Sequence, residues 1–223
     1  MKYIFFLVFL GTFVIGCNGQ EQKQKVETSK TTLKTTAMPE KLDIKEFREL
    51  AEKQGTVTKP FGEDSNVSQY SVKYKDVAGA EVEIFGSEVS GYVKNIIPPD
   101  PELFYTHKEY FPNGYLKTEG LLFKKGEFMK GNWKTYDENG KLVGEVDHDK
   151  KYKYSYESML SYTRQKGIDI FKNRYFELVR GNIDEEYWYL TWEKAVGEGI
   201  IVEKIDGQTG KRVDTWQKSY PEE

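Results

Sequence analysis

Lys108-Glu109-Tyr110-Phe111-Pro112-Asn113-Gly114-Tyr115-Leu116-Lys117-Thr118-Glu119-Gly120 decides the fold, because the chain writes it twice. Its second copy is Lys134-Thr135-Tyr136-Asp137-Glu138-Asn139-Gly140-Lys141-Leu142-Val143-Gly144-Glu145-Val146. At a shift of 26 residues, six of the 13 positions agree: Lys, Tyr, Asn, Gly, Leu and Glu. Each copy has an aromatic strand, an Asn-Gly pair and a second strand. Asn-Gly favours a two-residue type I′ turn, whose central residues both need positive φ. Each copy therefore predicts a β-hairpin. A lone hairpin is marginal in water, so the units are expected to stack into an antiparallel meander.

The spacing resembles the MORN-variant repeats of the YwqK-type antitoxin family, read as Trp-x-x-Tyr-x-x-Asn-Gly-x-Leu-x-x-Glu-Gly. Trp133, Tyr136, Asn139, Gly140, Leu142 and Glu145 fit it, with Val146 in place of the last Gly. The earlier copy fits at Tyr110, Asn113, Gly114, Leu116, Glu119 and Gly120, with His107 where Trp is expected, and Gly126 and Gly131 suit the connecting turns. The resemblance covers residues 106–147 and implies a binding repeat; the family's name implies an immunity or antitoxin role.

Nearer the N-terminus, Asp43 and Glu46 form a capping pair for a helix in which Ile44, Phe47, Leu50 and Ala51 make one apolar stripe and Gly55 is the stop. Tyr70, Val72 and Tyr74, then Val82 and Ile84, then residues 91–97 read as strands. Pro98-Pro99-Asp100-Pro101 marks an expected boundary. Beyond the repeats, Ser155 is an N-cap with Glu157 in the first turn, Met159, Leu160 and Thr163 form a face, and Gly167 ends the helix. Strands are expected over 175–179, 188–192, 200–205 and 212–216. Val202–Val213, VEKIDGQTGKRV, resembles PepSY-like domains, which implies a non-catalytic, inhibitory or binding module.

At the N-terminus, Lys2 precedes an apolar run from Tyr3 to Ile15. A bilayer-spanning helix needs about 20 apolar residues, so the run suits the core of an export signal. It ends in Val14-Ile15-Gly16-Cys17, which resembles the lipobox of bacterial lipoproteins. That resemblance implies cleavage before Cys17, diacylglyceryl thioether formation at its sulfur and acylation of its new amino group. Asn18 in place of Asp points to the outer membrane of a Gram-negative envelope. The next residues are polar and poor in large apolar groups, so residues 17–39 are expected to be a flexible tether. The remaining segments are then 1–16 (signal), 40–97 (helix and strands), 102–149 (two repeats) and 150–223 (helix and strands).

The formal net charge of −3 argues against nucleic-acid binding, and a single Cys excludes a disulfide framework. Chemistry-bearing residues have plain structural readings beside the functional ones. His148 between Asp147 and Asp149 is an oriented base, half a metal site or a polar strand end. Asp184-Glu185-Glu186 is a carboxylate cluster or a solvated turn, and Gly197-Glu198-Gly199 a hairpin turn. Lys124, Lys125, Lys130, Lys150, Lys151 and Lys153 are a solvated rim or an anion contact. No cofactor, metal or catalytic group is assigned. The 33 aromatic residues (4 Trp, 16 Tyr, 13 Phe) divide between packing and recognition. Tyr110, Tyr115, Trp133 and Tyr136 are the candidate partner-binding positions, and Cys17 is the lipidation site.

The expected fold is α+β, mostly antiparallel β in stacked hairpins with two short helices. The expected function is a lipid-anchored envelope lipoprotein that binds a protein partner, an envelope protein or a toxin, without catalysis. The rivals are an envelope hydrolase built on carboxylates and a purely structural lipoprotein.

Overall fold

A carboxylate at the first helix cap begins the folded body. In the computed structural model, which describes residues 39–58, 67–126, 128–181 and 186–221, Asp43 accepts the Glu46 N–H at 2.9 Å. Helix α1 follows over Ile44–Gln54 and stops at Gly55, whose φ of 68° closes the C-terminus. Phe47 and Ala51 carry its apolar stripe into the core. The signal, Cys17 and all of the tether but Pro39 lie outside the described residues.

Eight strands then run in sequence order as one antiparallel sheet: β1 (Val57–Thr58), β2 (Gln69–Lys75), β3 (Glu81–Ser87), β4 (Gly91–Ile97), β5 (Phe104–Tyr110), β6 (Leu116–Phe123), β7 (Met129–Tyr136) and β8 (Leu142–Asp147). Pro98–Pro101 is a connection inside this sheet, since Tyr92 pairs with Tyr110 and Ile96 with Thr106 across it.

The repeat turns differ from the two-residue type I′ form. Gly114 N–H donates to Phe111 O at 2.8 Å and Phe111 N–H to Tyr115 O at 2.9 Å. Gly140 and Asp137 make the same bonds with Asp137 and Lys141. Each loop has three residues, a β-turn followed by a glycine at positive φ, 86° at Gly114 and 79° at Gly140. Pro112 explains the difference at the first turn. Its ring holds φ negative at the first central position, which suits an ordinary β-turn and leaves one left-handed residue for glycine. The register shifts just beyond each turn, at Glu109/Tyr110 and Thr135/Tyr136, absorb the extra residue.

One face of this sheet carries two cores. At one end Val72, Val82, Ile84, Tyr92, Tyr110 and Leu116 pack with Phe47 and Ala51 of α1. At the other, Phe123 and Phe128 pack under α2 (Tyr156–Gln165) and the second sheet, against Met159, Leu178, Trp188 and Leu190. A row of directly paired charged residues, Lys94, Lys108, Glu119, Lys134 and Glu145, crosses β4 to β8 between them.

The second sheet has the order β12-β11-β10-β9, from β9 (Glu177–Arg180), β10 (Tyr187–Glu193), β11 (Ile200–Asp206) and β12 (Arg212–Lys218). Arg180 ties it to the repeats. Its guanidinium lies 4.6–4.8 Å from the Phe128, Tyr152 and Trp188 rings and donates to Met129 O at 2.7 Å and His148 O at 2.9 Å. Ser155 caps α2 by accepting the Ser158 N–H at 3.3 Å. Among the described residues no helix is long and apolar enough to cross a membrane.

Candidate partner-binding site

Residues 39–42, just before α1, lie as a strap across the tips of the two repeat hairpins. Leu42 N–H donates to Gly114 O at 2.9 Å, and Leu116 N–H donates to Glu40 O at 3.1 Å. Lys41 thereby forms an antiparallel bridge with Tyr115, and its ammonium sits 4.5 Å from the Tyr115 ring centre. The repeat glycines make room for this strap. A Cβ on Gly114 would press on the Leu42 carbonyl at 2.9 Å, and one on Gly140 would collide with the Pro39 ring. Asn113 joins the two tips by donating to Glu138 O at 3.0 Å.

A carboxylate clamp lies beneath. Glu40 accepts from the Tyr110 hydroxyl at 2.7 Å and from Lys108 at 2.5 Å. The Lys108 side chain is 16% exposed and Tyr110 is 3% exposed, so these donors are well shielded. Burial by itself would raise the Glu40 pKa; the bonds from Lys108 and Tyr110 overcome it and hold the carboxyl below the usual range. Burial pushes the Tyr110 phenol up, and its bond to Glu40 pushes it further, so it stays a donor. One repeat on, Tyr136 donates to Glu119 at 2.8 Å, and Glu119 also pairs with Lys108 at 3.6 Å.

Cavities adjoin the strap. One of about 340 Å³ lies between α1 and the sheet, floored by Phe47, Val72 and Ile84, with Leu50, Lys94 and Glu40 at its edges. Another of about 450 Å³ is lined by Lys41, Leu42, Ile44 and Asn113.

No protein-family model, curated protein or solved structure matches this chain.

Of the four aromatic positions singled out in the sequence, three converge here. Tyr110 is buried beneath the strap, Tyr115 and Tyr136 are half-buried beside it. Trp133 lies apart from them. It is 7% exposed, rests over Gly120, stacks on His107 at 5.8 Å and donates to Leu121 O at 3.3 Å. Its ring, like that of Tyr110, is occupied in packing.

Several of the chemistry-bearing residues beyond this site are engaged in structure. The aspartates flanking His148 have other tasks: Asp147 accepts the Asp149 N–H at 2.9 Å, and Asp149 pairs with Arg180 and Lys130. Burial, helped by Arg180, lowers the His148 pKa. Glu186 accepts from Gln208 at 2.6 Å, while Asp184 and Glu185 lie outside the described residues. Lys124 donates to Pro98 O and Lys130 to Glu157, whose pKa is drawn down to about 2 chiefly by that bond. Among the described residues no group of three or more His, Cys, Asp or Glu is placed to hold a metal ion. Glu40 and Lys108 carried no mark as site residues in the sequence. The signal that leads to them is the repeated glycine, whose second role is to seat a passing backbone.

Proposed function

We propose that this protein is a lipid-anchored lipoprotein of a Gram-negative envelope, acylated at Cys17, and that its body binds a protein partner without catalysis. The anchor rests on the lipobox-like Val14-Ile15-Gly16-Cys17. Two or more acyl chains give a stable attachment, since each buried CH₂ contributes about 0.8 kcal/mol. The binding role rests on one observation: the hairpin tips already grip an extended segment of polypeptide. They do so through backbone pairing at Gly114 and Leu116, a carboxylate clamp at Lys108 and Tyr110, and a cation–π contact at Tyr115. The MORN-variant resemblance makes an immunity or antitoxin role, occlusion of a toxin by these tips, the specific form of this reading.

Fractionation tests the anchor: wild type should pellet with membranes and Cys17→Ser should appear in the soluble fraction. Continued membrane association of the variant refutes it. A photo-crosslinking residue at position 115 tests the binding surface in intact envelopes. A discrete adduct with an envelope or toxin protein supports it, and absence of any adduct counts against it.

A further inference from the structure

The strap shows which ligand its seat accepts. Its backbone contributes one donor and one acceptor to the hairpin tip, at Leu42 and Glu40. The Glu40 carboxylate enters the clamp of Lys108 and Tyr110, with Lys94 adding a favourable charge nearby. Leu42, two residues on, packs against the core beneath α1, and Pro39 lies on Gly140. The seat is therefore selective for an extended chain with a carboxylate two positions before an aliphatic residue. Two directional backbone bonds and one charge-assisted clamp are a modest hold. The adjoining cavities of about 340 and 450 Å³ leave room for side chains bulkier than the strap's own.

We propose that the groove across the repeat tips is a docking site for an extended acidic segment of a partner protein, of the form Glu-x-Leu, and that residues 39–42 are its built-in competitor. The inference rests on the non-catalytic binding reading above and names its partner chemistry. Strand addition of this kind takes affinity from the backbone and specificity from side-chain seats at alternate positions. Because the strap runs directly into the α1 cap at Asp43, its effective concentration at the seat is of millimolar order or higher. A partner must outcompete it, so the site is quiet towards weak acidic peptides and opens to a segment that fills the cavities as well.

The test uses the detergent-solubilised full chain and a fluorescein-labelled peptide copying residues 38–44, followed by anisotropy. Glu40→Gln with Leu42→Ala weakens the strap without altering the seat residues Lys108, Tyr110, Gly114 and Leu116. The double variant should bind the peptide about tenfold or more tightly than wild type. Lys108→Gln added to it should remove that gain, and a peptide with Gln for its Glu should bind as weakly as wild type does. Circular dichroism of each variant checks that α1 and the sheets persist. Equal binding by wild type and double variant, or indifference to the peptide's Glu, overturns the proposal. So does dimerisation of the double variant at the expense of peptide binding, which would make a second copy the occupant. The peptide titration reports on the seat and the position-115 crosslink on whether a partner exists, so the two readings fail separately.

Discussion

The Tyr110 hydroxyl donates to the Glu40 carboxylate at 2.7 Å across 70 residues of chain. The equivalent bond one repeat later is local to the sheet: Tyr136 donates to Glu119, which lies opposite Lys134 on the preceding strand. At the first repeat that arrangement lacks its acid, because the residue opposite Lys108 on β4 is Lys94. Like charges directly opposite destabilise a sheet. Glu40 brings the missing carboxylate from outside the sheet, so the strap completes the first repeat as a neighbouring copy would have done.

Loss of that carboxylate should weaken the body in a pH-dependent way. The folded-state pKa of Glu40 lies below its ordinary value of 4.5. Its contribution is therefore complete above the unfolded-state pKa and disappears as pH falls through the folded-state value. The Glu40 side chain is 43% exposed, so solvent screens the clamp and Glu40→Gln should cost about 1 kcal/mol at pH 7. Urea melts of wild type and variant should differ at pH 7, and the difference should shrink as pH falls below the ordinary carboxylate value of 4.5. A difference that is unchanged at pH 3 would assign it to something other than the clamp.

The strands and both helix caps were legible because local chemistry alone determines them. Asp43 and Ser155 cap the helices that their spacing predicts, and residues 91–97 form β4 with the expected bounds. Two things were not legible. The continuity of the sheet through Pro98–Pro101 depends on cross-strand pairing, which leaves no trace in the prolines themselves. The strap depends on a contact 70 residues long, and nothing around Glu40 marks that carboxylate as different from other surface acids. The repeat pointed to the right hairpins, but with a two-residue turn where both have three-residue loops; Pro112 accounts for the difference at the first of them.

Gly120 ends the first copy of the repeat, and Val146 occupies the same place in the second. The difference has a steric cause. The Trp133 indole lies on Gly120, where a Cβ would overlap the ring, while Val146 on β8 stands at the sheet edge with 57% exposure. Gly120→Ala should cost about 2 kcal/mol by forcing the indole from its seat, whereas Val146→Gly should cost about 1 kcal/mol or less. A double-mutant cycle with Trp133→Phe should recover part of the Gly120→Ala loss. Additive losses in that cycle would show that the two positions do not meet.

Arg180 joins the second sheet to the repeat sheet by a planar fork. It donates to two carbonyls, Met129 O and His148 O, and pairs with Asp149 while lying against three aromatic rings. A lysine keeps the charge but reaches one or two of these acceptors and cannot stack as a plane. Arg180→Lys should therefore cost about 2–3 kcal/mol in chemical denaturation. It should also increase amide hydrogen exchange in β9 and β7 together, since both flank the fork. An effect confined to β9 would mean that the carbonyl bonds contribute little to joining the sheets.

Glu203 tests whether a buried acid in the second sheet is held by charge or by donors. It is 2% exposed and accepts from Tyr162 at 2.6 Å, Lys166 at 2.9 Å and Arg212 at 3.1 Å. Burial would raise its pKa, yet these three donors bring it below the ordinary value. Its stabilising effect is accordingly full at neutral pH and lost as pH falls through the folded-state value. Glu203→Gln removes the charge and also turns an amide NH₂ towards donors that need an acceptor. Glu203→Met removes the charge but presents no competing donor, and Lys166 and Arg212, with side chains 28% and 55% exposed, can turn to water. Removing one partner of a buried ion pair is costly when the other charge is left buried, and here the exposure of Lys166 and Arg212 relieves that cost. Glu203→Gln should then cost about 2–3 kcal/mol and Glu203→Met about 1 kcal/mol less. Thermal melts at pH 7 decide it: a larger loss for Met than for Gln would mean that the Tyr162 bond, which glutamine can still accept, outweighs the mismatch of donors.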